Sequence, residues 1–163
     1  MRRMVALVLC AALLTAWAVR STSANPSPST IEKTQPSVSS SRNADGLLAL
    51  KLPGPVIFET GSDQIKPAGE SSLQLVKSDL DAHLEVTMLR IEVRNPDLKL
   101  AQRRAMSVAR WLVAHGIDCN RLLPVAFGGT KAMGVSFVHA AIKGRAISRP
   151  INGGGQVAGD PCK

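Results

Sequence analysis

The stretch from Asp97 to Gly116, DLKLAQRRAMSVARWLVAHG, decides the fold. Ala101, Ala105, Val108 and Leu112 recur at three- and four-residue steps, which on a helix of 3.6 residues per turn makes one apolar stripe. Asp97, after Pro96, stands where a carboxylate accepts from the free backbone N–H groups of a first turn. Gly116 supplies the left-handed stop. The spacing predicts an amphipathic helix running to about His115.

Upstream, Val86 to Val93 alternates, with Val86, Met88 and Arg90 on one side and Thr87, Leu89, Ile91 and Val93 on the other, and reads as a strand. Leu122 to Phe127 reads as another strand, turned by Gly128-Gly129. Leu73, Val76, Leu80 and Leu84 give a second amphipathic helix from about Ala68 to His83, started by Pro67. Val56-Ile57-Phe58, between Pro55 and the turn-like Gly61-Ser62-Asp63, suits a short buried strand. Beyond Gly129 the pattern weakens. Val135 to Ile142 fits a short helix or an irregular turn, and Ala146 to Ile151 a last edge strand with Pro150 near its end. The order predicts an α/β (α+β sandwich) domain over residues 53–151, βαβαβ with a poorly defined final helix and strand, its mixed sheet carrying helices on one face.

Residues 1–24 combine a basic start, Arg2 and Arg3, with an apolar run from Met4 to Ala18, the pattern of a signal peptide. Cleavage after Ala24 is expected, with an uncut anchor as the alternative; only such an anchor would put this chain in a membrane. Cys10 follows Leu9 where a lipidation site wants a small residue, so an inert leader cysteine is expected rather than a lipid anchor. Residues 25–52, rich in Pro, Ser and Thr, read as a disordered linker with a reach on the order of 30 Å. Residues 152–163, with Gly153-Gly154-Gly155, read as a flexible tail.

The net charge of +8 suggests an anionic partner, but Arg2, Arg3 and Arg20 belong to the leader. Without them a milder excess remains, which suits anionic lipid or cell-wall polymer and which solubility alone also explains. With no Tyr, two Trp and three Phe there is little aromatic surface for stacking bases, so no nucleic-acid partner is expected.

With the elements placed, the chain resembles the OmpA-like family of peptidoglycan-binding domains. Ile57-Phe58-Glu59-Thr60-Gly61-Ser62 through Ile65-Lys66-Pro67 is similar to that family's opening strand, turn and proline-started helix. The motif N-x-x-L-S-x-x-R-A-x-x-V-x-x-x-L is echoed by Asp97, Leu100, Ala101, Arg104, Ala105, Val108 and Leu112. Gly116-Ile117-Asp118, Arg121-Leu122 and Phe127-Gly128 match the helix end and the next strand, and Gly144-Arg145-Ala146-Ile147 the closing strand.

The resemblance implies that Arg104 grips the carboxylate of a peptidoglycan stem peptide, a pairing for which a planar guanidinium fork is suited. In the family an Asp from a G-H-T-D-type loop takes the ammonium of diaminopimelate. Here Val93-Arg94-Asn95-Pro96-Asp97 replaces that loop and enters the helix several residues early. Asp97 either substitutes for the missing acid or simply caps the helix, Arg94 adds a cation that tilts the site toward an anion, and Asn95 lies between them. Arg145 matches the closing arginine, in a structural role.

Cys119 and Cys162 form an even pair once the leader is removed, and either a disulfide or two free thiols fits. His83, His115 and His139 show no ligand spacing, so no metal is expected. No nucleophile with a base, paired acids or cofactor loop stands out; Gly128-Gly129-Thr130-Lys131 lacks the spaced glycines of a phosphate loop. The expectation is a noncatalytic protein without cofactor, in the periplasm or outer-membrane-associated envelope of a Gram-negative bacterium, that binds peptidoglycan and anchors the envelope to it. The alternative is a degenerate scaffold that binds an envelope protein instead.

Overall fold

A computed structural model describes residues 38–42, 48–147, 151 and 154–163. The leader, Cys10, most of the linker and Pro150 lie outside the described residues. Ten elements run in the order β1 (Ser39–Arg42), β2 (Leu48–Lys51), α1 (Pro67–Ala82), β3 (Val86–Arg94), α2 (Leu98–Ala114), a 3-10 turn (Cys119–Arg121), β4 (Leu122–Phe127), β5 (Gly134–Ile142), β6 (Arg145–Ala146) and β7 (Gly155–Val157). The strands form one sheet in the order β1-β2-β5-β3-β4-β7, with β6 hairpinned onto β5. Only β3 and β4 are parallel, and α2 makes the crossover such a pair requires.

Both helices cover the same face of the sheet. Leu73, Val76 and Leu80 of α1 and Ala101, Ala105, Val108 and Leu112 of α2 join one core cluster with Leu89, Ile91 and Val93 of β3 and Phe137 of β5. Alternation along β3 turns Arg90, Glu92 and Arg94 to the opposite face. Arg90 and Glu92 are buried there and paired at 2.7 Å. Arg121 ties the layers: its guanidinium donates to the carbonyls of Leu80 and His83 at the end of α1 and of Val86 at the start of β3. These carbonyls include the unpaired acceptors of a helix end that has no basic residue in its own last turn.

Three sequence expectations within the domain are corrected. Val56 to Phe58 is not a strand of the sheet. Phe58 makes a single bridge to Ile65, and the segment crosses the first turn of α1, where a Cβ on Gly69 would sit 2.7 Å from the Ile57 nitrogen. Just before it, Pro53 and Pro55 lack the N–H that a ladder would need, so no strand can extend into it from that side. Val135 to Ile142 is neither helix nor turn but part of a nine-residue strand in the middle of the sheet. Pairing along β3 overrides the weak local signal of His139, Ala140 and Ala141. Of the expected last strand from Ala146 to Ile151, Ala146 lies in the two-residue β6, Ile147 and Ile151 are in no strand, and residues 148–150 lie outside the described residues.

The ends differ as well. Within the presumed linker, β1 and β2 extend the sheet from β5, with Leu50 opposite Phe137 and buried in the core, so the domain begins before Pro53. The presumed flexible tail pairs through β7 with β4, and Ala158 donates its N–H to the Pro124 carbonyl at 2.9 Å. The structure joins Cys119, beside the end of α2, to Cys162 in a disulfide that anchors this tail.

Candidate functional site

The connection between β3 and α2 is as short as its sequence. Asn95 is buried, and its side-chain oxygen accepts from the Asp97 N–H at 2.9 Å. One carboxylate oxygen of Asp97 then accepts from the N–H groups of Lys99, at 2.8 Å, and Leu100, at 3.3 Å. Asp97 therefore caps α2 and Asn95 shapes the turn before it.

One turn further along α2, Arg104 reaches the loop between Phe58 and Ile65. Its Nε donates to the Ser62 carbonyl at 2.8 Å and its Nη2 to the Glu59 carbonyl at 3.2 Å, with the guanidinium 4.7 Å from the centre of the Phe58 ring. Desolvation lowers the Arg104 pKa, against a raising influence from Asp63 and a further lowering one from Arg103. An arginine remains charged under any physiological condition, so partial burial reduces the water around the cation without removing its charge. The loop carbonyls occupy Nε and one Nη2 hydrogen, which leaves the Nη1–Nη2 edge able to hold a carboxylate with two parallel bonds.

Arg94 lies at the end of β3 on the face away from the helices. Its guanidinium binds Glu92 at 2.9 Å and Ser136 at 3.2 Å and stacks 4.7 Å from the Phe127 ring centre. Glu92 thus serves both Arg90 and Arg94. A pocket of about 260 Å³ nevertheless brings Arg94 and Arg104 to one rim, between Val56, Phe58 and the exposed Met133. No acidic residue lines it among the described residues. Of the residues singled out in the sequence, Arg104 and Arg94 meet at this pocket, while Asn95 and Asp97 build the turn beside it.

Phe58 under Arg104 and the pairing of Ser107 with Asp63, at 2.9 Å, were not legible beforehand. Both contacts bridge segments more than forty residues apart in sequence, and the only signal was the amphipathic spacing of α2. Among the described residues there is no cluster of three metal-ligating side chains and no helix long and apolar enough to cross a membrane.

The match to known proteins falls on this same region. Residues 57–135 match the model of the OmpA family. Over that stretch the chain is similar to OmpA-like domains. A probable lipoprotein, YiaD, of Escherichia coli K12 is 30% identical over 97 residues, which cover 56% of this chain and 44% of that protein. The chain thus spans less than half the length of that relative. An outer membrane protein of Borrelia burgdorferi B31 has a similar fold, with a TM-score of 0.52 at 18% identity over 63% of this chain and 96% of the other. These likenesses, to the OmpA family and to a lipoprotein, point to the cell envelope.

Proposed function

We propose that this OmpA-like domain is a noncatalytic cell-envelope module that binds the stem peptide of peptidoglycan and anchors the envelope to it. The observation that carries the reading is Arg104, a partly desolvated cation with an unfilled fork edge at a small pocket that holds no acid. In this arrangement the ligand's carboxylate binds Arg104, and its aliphatic stem lies against Val56, Phe58 and Met133. Arg94 raises the local potential from the rim while its own hydrogen bonds stay with Glu92 and Ser136. Asp97 caps and makes no contact with the ligand.

A second reading, a degenerate scaffold that binds a protein partner, draws on the same geometry: the short turn carries no acid able to meet an ammonium, and Arg104 already holds the Glu59–Ser62 loop. Cosedimentation of the full chain with purified sacculi separates the two. Wild type is expected in the pellet, Arg104→Lys to bind about tenfold more weakly because an ammonium lacks the fork, and Asp97→Asn to bind like wild type. A folded wild type left in the supernatant refutes wall binding and leaves the scaffold.

A further inference from the structure

The outer face of α2 carries four cations, Lys99, Arg103, Arg104 and Arg110, and the helix has no acidic residue at all. This charge pattern works against the helix. Lys99 sits in the first turn, at the positive end of the helix dipole, and Lys99 and Arg103 are like charges four residues apart. Arg104 is accounted for by the loop it holds. The other three line a separate groove of about 370 Å³ with Gln102 and Met106, and its far wall is the tail at Ala158.

That wall exists because the tail is fixed. β7 pairs with β4, Gln156 meets Gln102 at 3.4 Å, Gly159 lies against the Met106 thioether, and the disulfide closes the end. Asp63 is the one acid in the groove. Its Oδ2 accepts from Ser107, and its Oδ1 is 3.9 Å from Arg103 across an exposed gap. Among the described residues the side chains of Lys99 and Arg110 have no hydrogen-bonding or ionic partner, and both are exposed. Three cations therefore line one concave, headgroup-sized space with a single, already engaged carboxylate to oppose them.

We infer that this groove between α2 and the disulfide-held tail binds a phosphomonoester dianion through Arg103 and Arg110, with Lys99 at its mouth. Two guanidinium groups give the paired N–H donors that phosphate oxygens accept, and the local excess of positive charge suits a dianion better than a lone carboxylate. The residues differ from those of the wall-binding pocket, so the two proposals stand or fall separately.

The test uses the purified, oxidised full chain and an Arg103→Gln, Arg110→Gln double variant, both substitutions being exposed. Glycerol 3-phosphate is titrated against protein fluorescence or by NMR, with sodium acetate at matched ionic strength as control. Binding to phosphatidylcholine vesicles with and without phosphatidic acid is measured for the wild type and the double variant alike, so that any attraction through the leader, which both carry, cancels in their comparison. The expected result is binding of glycerol 3-phosphate or of the phosphatidic acid vesicles, at least about tenfold weaker in the double variant. A response to glycerol 3-phosphate identifies a soluble phosphomonoester as sufficient; a response to vesicles alone identifies the lipid headgroup as the source. Equal responses of the wild type and the double variant, an equal response to acetate, or no binding of either probe overturns the inference.

Discussion

Breaking the link between Cys119 and Cys162 offers the most quantitative test of the tail's place in the fold. The two residues are separated by 43 positions, so the bond closes a loop containing the 3-10 turn, β4, β5, β6 and β7. Chain-entropy reasoning for a loop of this length gives about 4 kcal/mol of stabilisation at 25 °C, through restriction of the unfolded chain. Some of this is offset in the reduced protein, because β7 pairs with β4 at only three positions and fraying gives the native state back some freedom. The expected loss for a Cys119→Ser, Cys162→Ser variant is therefore about 2–4 kcal/mol, read in urea as a lowered midpoint with little change in slope. Thermal melting should fall by roughly 8–15 °C. Hydrogen exchange adds a local readout. The Ala158 amide, bonded to Pro124, should lose protection, while Leu89, Ile91 and Phe137 in the core keep theirs at conditions well below the transition. A loss under about 1 kcal/mol, with the Ala158 amide still protected, would refute the view that the bond holds the tail and limits the unfolded chain.

Other substitutions test the remaining joints. Asp97→Ala should cost about 1–2 kcal/mol through the lost cap, whereas Asp97→Asn should stay within a few tenths of wild type; equal losses in urea unfolding would show that charge rather than capping is at work. Arg121→Ala, which strips hydrogen bonds from the ends of α1 and β3, should cost about 2–4 kcal/mol after allowance for their partial exposure, and a loss below about 1 kcal/mol would contradict its role as a tie between layers.

The sequence determined what depends on local periodicity and chain chemistry. The apolar stripes of α1 and α2, the alternation of β3, the cap at Asp97 and the stop at Gly116, which has a φ of 94°, all follow from side chains within a turn or two of one another. The motif around Arg104 was legible for the same reason, since it is the pattern of one helix. Tertiary structure decided the rest. Val135 to Ile142 became a central strand because β3 offered it a full ladder, and Val56 to Phe58 did not because it packs across the first turn of α1 instead. β1, β2 and β7 come from Ser-, Leu- and Gly-containing segments with little β pattern of their own, and exist only as edges that β5 and β4 leave open. Whether a charged side chain is free or engaged was decided in the same way. Arg94 meets Glu92 two residues away on one strand face, but only long-range contacts give Arg94 to Ser136, give Arg104 to the Glu59–Ser62 loop, and leave Arg110 facing a groove walled by the far end of the chain.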